Sequence, residues 1–159
     1  MSVPADPPRP WATPEPGRLV GRGHMAGDLL EAWAWEVVEE SEGHLVLDVH
    51  LPDQVRNPRG QLFGGFTPTY VDMVALFTVR AGPDRRASLA RRQWLATTSM
   101  QIEYFEPITG PRFTIESSLE KRRGRTRFVV TRFKQDGELA VLATTTMREV
   151  AVDRPLGDA

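Results

Sequence analysis

From Phe66 to Val79 the chain can form a helix whose only charge is Asp72. Phe66, Tyr70, Met73, Val74 and Phe77 recur at helical spacing, and Val71, Ala75 and Leu76 carry apolar character onto the remaining face. A helix that is apolar nearly all round is stable only when other elements wrap it. The spacing predicts this helix over residues 64–80, opened by the glycine pair Gly64-Gly65. Pro68 is tolerated because the first turn needs no backbone donor. In an alternative reading Thr67 caps the helix with Pro68 next, which leaves Gly64 ahead of the helix proper.

The rest of the chain supplies the wrapping. Met25 to Leu30 reads as a short helix leading into a strand over Ala32–Glu39. After Gly43, Leu45, Leu47, Val49 and Leu51 alternate with more polar residues, the pattern of a half-buried strand. Residues 53–60 read as a loop, and 82–93 as a polar, arginine-rich loop or short exposed helix. Strands are expected over Thr97–Phe105, with Thr98, Met100, Ile102 and Tyr104 sharing one face, and over Phe113–Leu119, Arg125–Phe133 and Glu138–Arg148. Arg123-Gly124 marks one turn, and Lys134-Gln135-Asp136-Gly137 a hairpin. The order is strand, strand, buried helix, then a run of antiparallel strands. That predicts an α+β fold in which a curved antiparallel sheet wraps one long central helix. Residues 21–152 form the single domain. The proline-rich segment 1–20 is expected to be a flexible tail or an arm anchored by Trp11, and 153–159 a disordered tail.

Composition narrows the chemistry. With no cysteine in 159 residues, disulfides, thiol nucleophiles and thiolate metal sites are excluded. A formal net charge of −1 gives no signature of a nucleic-acid partner. No apolar run is long enough to cross a bilayer, and the N-terminus lacks a signal-peptide pattern, so a cytoplasmic protein without a membrane partner is expected. His24, His44 and His50 show no ligand spacing, so no metal is expected. Neither a G-x-S-x-G elbow nor a Walker phosphate loop occurs.

The chemically suggestive stretch is Asn57 to Asp72, N-P-R-G-Q-L-F-G-G-F-T-P-T-Y-V-D. Free N–H groups at a helix start favour a developing negative charge. A carboxylate nearby can act as base or nucleophile. Each residue also has a plainer reading. Asp72 could be an exposed helix residue, the glycine pair a tight turn, Asn57 before Pro58 a turn opener, and Thr97 a strand former. Arg122, Arg123 and Arg125 in the run from Lys121 to Arg127 read as a solvated hairpin tip, and Arg85, Arg86, Arg91 and Arg92 as a solvated loop. Either cluster could instead hold phosphate groups.

These residues together resemble the hotdog-fold acyl-CoA thioesterases, specifically the PaaI-like branch of the 4-hydroxybenzoyl-CoA thioesterase superfamily. The likeness runs from about Asp28 to Val150 through L-L-E-A-W, N-P-R-G-Q-L-F-G-G, the helix with Asp72, T-S-M-Q-I-E-Y-F-E-P-I and the final hairpin. It implies a homodimer or dimer of dimers with the site at the subunit interface. It also implies an acyl-CoA substrate and no cofactor, coenzyme A being part of the substrate. By position, Gly64 would supply the oxyanion-hole N–H and Asp72 the general base or nucleophile, acting across the interface. Asn57 would orient the base or a water, and Thr97 would help place that water. Phe63, Gly65, Phe66 and Tyr70 would wall the acyl pocket, and Arg122, Arg123 and Arg125 would hold the coenzyme A phosphates. One departure is Phe63, where the family usually has histidine. It motivates an alternative function, a non-catalytic acyl-CoA-binding or regulatory hotdog domain.

Overall fold

The computed structural model describes residues 12–83, 85 and 93–151. The prolines before residue 11, Trp11, Arg86, Arg91, Arg92 and the tail from 153 lie outside the described residues. Leu19 and Val20, assigned by sequence to the N-terminal tail, are buried in the core.

Among the described residues, six strands form one antiparallel sheet: β1 (Glu36–Ser41), β2 (His44–His50), β3 (Gln93–Tyr104), β4 (Arg112–Arg123), β5 (Thr126–Gln135) and β6 (Glu138–Ala151). Their spatial order is β1-β2-β4-β5-β6-β3, so β3 forms one edge. The short helix α1 (Met25–Leu29) precedes β1, and the long helix α2 (Thr67–Val79) packs against the curved sheet. This is the expected hotdog architecture; β4 and β6 run past their predicted ends, β3 starts earlier and stops at Tyr104, and β5 is shifted to Thr126–Gln135. The strand expected over Ala32–Glu39 differs. Ala32–Ala34 forms a 3₁₀ turn and the strand begins only at Glu36.

Alternation explains the core. Leu45, Leu47 and Val49 of β2, Phe113 and Ile115 of β4, Phe133 of β5 and Ala143 of β6 all point at α2 and are buried. Tyr70 enters from the helix, stacked on Trp35 at 5.5 Å between centroids and edge-on to Phe113 and Phe133. The β5–β6 hairpin closes through Asp136 and Gly137, at φ 52° and 80°. Two consecutive left-handed residues give the turn whose twist matches the flanking strands.

Two features depart from simple periodicity. Helix α2 is not closed on every side: Asp72 is exposed, and Pro68, Thr69, Leu76 and Val79 on the same stripe are only half-buried. In β3 the pairing with β6 slips between Thr97 and Ser99. Such a bulge adds one residue to one strand and reverses the alternation beyond it. Thr97 therefore shares the helix-facing side with Met100, Ile102 and Tyr104, while the Thr98 hydroxyl donates to the Thr146 carbonyl. Strict alternation assigned that face to Thr98.

Candidate active site at the start of helix α2

The glycine pair does not open the α-helix itself. Gly64–Phe66 form a 3₁₀ turn, and α2 begins at Thr67. The cause is Pro68. In a continuous α-helix the Gly64 carbonyl would accept the N–H of residue 68, which proline lacks. It accepts the Thr67 N–H instead, one residue earlier, and keeps room for a second donor. That donor is the Tyr104 hydroxyl, 2.7 Å away.

Among the described residues, neither the Gly64 nor the Gly65 N–H meets an acceptor. No side chain caps the turn or the helix, and no acid stands in the first turn of α2. The positive end of the helix is thus not neutralised by its own chain, which is the electrostatic condition for binding an oxyanion. Both glycines are exposed. A Cβ at Gly65 would lie 2.9 Å from the Phe63 ring, so Phe63 folds back over this residue. Phe63 meets Phe66 edge-on at 5.9 Å and remains 50% exposed.

The acid lies further along the helix. Asp72 accepts a hydrogen bond from the Thr97 hydroxyl of β3. The bulge described above is what turns Thr97 toward it. The structure therefore brings the predicted residues together in two groups, Asp72 with Thr97, and Gly64 with Gly65, Phe63 and Phe66.

Asn57 joins neither group. Its Oδ1 accepts the N–H groups of Arg59 and Gln61 at 2.9 and 3.0 Å, and its Nδ2 faces the Gln61 side chain. It shapes the loop before the glycines, as a turn-opening asparagine does. Tyr70 is fully buried on the far side of α2 from Asp72. Its hydroxyl has no hydrogen-bond partner among the described residues. Burial and the nearby Glu31 carboxylate hold that hydroxyl above the ordinary tyrosine range. Arg122, Arg123 and Arg125 are exposed at the β4–β5 tip. Register places that tip in the row Arg123, Thr126, Arg148, Ala96, at the Thr97 end of the sheet. Three strand spacings separate Arg123 from Ala96, about 14 Å. Arg85 is not a solvated residue. It is buried, paired with Glu40 at 2.8 Å and donating to the Leu19 carbonyl.

Two residues that bear on the site gave no signal in the sequence. Tyr104 is one. Arg56 is the other: its guanidinium donates to the carbonyls of Gly60, Thr109 and Leu51 at 2.7, 3.0 and 3.1 Å. It ties the loop carrying Asn57 to the segment between β3 and β4. Its partners come from three places in the chain, so no local motif could announce it.

The sequence pattern of the Thioesterase superfamily matches residues 59–141, over half of the chain, including both glycines, Asp72, Thr97 and Tyr104. The chain belongs to that superfamily. No curated protein matches it. Solved structures share the fold. A phenylacetic acid degradation-related protein of Ralstonia eutropha superposes with a TM-score of 0.66 at 23% identity, covering 82% of this chain and 92% of the other. A hypothetical thioesterase of Streptococcus pneumoniae, crystallised with coenzyme A, gives 0.60 at 21%, covering 72% and 87%. The same Streptococcus pneumoniae protein was also crystallised as an aspartate-to-alanine and as a threonine-to-alanine mutant. A Streptococcus mutans protein bound to acetyl-CoA gives 0.60 at 19%, covering 73% and 88%. Among the described residues no helix is long and apolar enough to cross a membrane.

Proposed function

We propose that this superfamily member is a PaaI-like acyl-CoA thioesterase that works as a dimer or dimer of dimers. Asp72 activates water or attacks the thioester carbon directly, with Thr97 fixing its orientation. The Gly64 N–H receives the developing negative charge on the carbonyl oxygen, an effect worth roughly 3 kcal/mol per donor. The thiolate of coenzyme A leaves without needing a strong general acid, and no cofactor takes part. The single observation that carries the reading is the exposed Asp72 on an otherwise apolar helix, held by Thr97, with uncapped glycine N–H groups at the start of that helix.

Distance supports the second copy. Gly64 and Asp72 are eight residues apart in one chain, about 12 Å along a helix axis. One carbonyl group cannot touch both. A shared site needs Asp72 of one copy to face Gly64 of another, and the open stripe of α2 is the surface that such a copy would cover. The coenzyme A and acetyl-CoA found with the streptococcal relatives support the ligand class. The aspartate and threonine chosen for mutation in one of them are the residue types paired here.

The test is release of thiol from acetyl-, hexanoyl- and phenylacetyl-coenzyme A. The chain has no cysteine, so a thiol reagent sees only released coenzyme A. Turnover by the parent and its loss in Asp72→Ala are expected. Undiminished turnover by Asp72→Ala removes the acid from the mechanism. Phe63 favours a second reading, a domain that binds acyl-CoA without cleaving it, because an exposed phenyl ring stands where the family usually has a polar imidazole. Saturable binding by the parent with no thiol released would select that reading.

A further inference from the structure

Tyr104 ends the edge strand β3, and its hydroxyl reaches back to the Gly64 carbonyl at 2.7 Å. The Thr67 N–H holds the same oxygen from within the chain turn. The tyrosine ring also lies under Gly64: a Cβ there would sit 3.7 Å from Cε1. The ring is nevertheless 53% exposed, so its burial does not account for its placement.

A trans peptide is planar, and its C=O and N–H point in opposite directions. The Gly64 carbonyl and the Gly65 N–H belong to one such plane. Two donors on the oxygen therefore fix where the Gly65 N–H points. The Gly64 N–H belongs to the preceding plane, joined to this one by a single Cα. That preceding plane is held by the Phe66 N–H on the Phe63 carbonyl at 2.9 Å, and the next by the Thr67 N–H alone within the turn. Neither glycine has a side chain to limit its torsions, so the Tyr104 hydroxyl is the second anchor of the Gly64–Gly65 plane. Pro68 makes the anchor possible, because it leaves the Gly64 oxygen without its usual α-helical donor.

We propose that Tyr104 is a positioning residue: its hydroxyl locks the Gly64–Gly65 peptide plane so that the two uncapped N–H groups converge on the carbonyl oxygen of the thioester. This rests on the thioesterase reading above and extends it, adding Gly65 N–H as a second oxyanion donor and naming what holds it. Preorganised donors act on charge that exists only in the transition state. Loosening them lowers kcat and leaves substrate binding alone.

The experiment is Tyr104→Phe, which deletes one oxygen from a half-exposed ring. It is read by steady-state hydrolysis of the best of the three esters above, by melting temperature, and by 15N relaxation of the Gly65 amide. kcat is expected to fall about tenfold, the equivalent of one well-aligned hydrogen bond, with KM within about twofold and the melting temperature unchanged. The Gly65 order parameter should drop from about 0.85 toward 0.6. An unchanged kcat overturns the proposal. So does a loss of kcat that comes with a raised KM and a lowered melting temperature, which is general damage to the fold. A parent enzyme that hydrolyses none of the esters defeats the thioesterase reading instead. The relaxation result then decides alone: a Gly65 amide equally rigid in both proteins overturns the clamp, and a loosened one upholds it.

Discussion

Helix α2 has two faces that the chain treats differently. On one, Tyr70 is stacked on Trp35 and ringed by Phe113 and Phe133, and the sheet of the same chain closes over it. On the other, two residues along, Asp72 is exposed and, among the described residues, meets the hydroxyl of Thr97 from an edge strand. The first face is a finished core. The second is built to the same apolar plan at Leu76 and Val79 but left incomplete, with a carboxylate in the middle. Stability resides in the first and the proposed chemistry in the second, so substitutions on the two should separate cleanly.

The largest effect belongs to the closed face. Phe133→Ala opens a cavity beside Tyr70 and Phe113 and should cost about 3–5 kcal/mol in urea unfolding. A cost under about 1 kcal/mol would show that the aromatic cluster is not the stabilising core. On the open face, Asp72→Asn should cut turnover by about a hundredfold or more, equivalent to about 2.7 kcal/mol of barrier. Its melting temperature should stay at the parent value, because the carboxylate is exposed and Thr97, which donates to it, is exposed as well. A variant that loses both activity and stability would erase the distinction between the faces. Thr97→Val keeps the shape of the strand residue and removes the donor to Asp72. Turnover about tenfold lower, with unchanged unfolding, is the expected result. The smallest effect sharpens the comparison from the other side. Tyr70→Phe removes a buried hydroxyl that lacks a partner among the described residues. The protein should become more stable, by less than about 1 kcal/mol, and keep its kcat. A clear destabilisation there would mean that the hydroxyl is satisfied in solution, for instance by a buried water.

Much of the architecture was legible because it is local. The apolar periodicity of residues 66–79, the alternation through Leu45, Leu47 and Val49, and the Asp136-Gly137 turn each depend on neighbours within a few positions. Pro68 even offered the correct alternative, an α-helix starting at Thr67 with Gly64 ahead of it. What escaped was whatever depends on pairing across the chain. The bulge at Thr98 has no composition signal. It exists because β3 must follow β6 on one side while presenting Thr97 and Tyr104 to the helix on the other. Arg56 reads as an ordinary loop charge until Thr109 arrives beside it from 53 positions away. Tyr104 reads as a good strand former, which it is, and only the folded register gives its hydroxyl a target. Asn57 and Tyr70 show the converse. The family resemblance made each a site candidate by position, yet Asn57 makes its hydrogen bonds within its own loop, and Tyr70 fills the core.

The irregularity in β3 has a further consequence. Thr97 and Tyr104 engage opposite ends of the site from one strand; they stand seven positions apart, and the bulge at Thr98 absorbs one of the seven. Remove the bulged residue and six remain, an even spacing that still puts both on one side, with a regular ladder to β6. Deleting Thr98 should therefore be tolerated, whereas straightening the bulge at unchanged length would either shift the register with β6 or turn one of the two grips away from the helix.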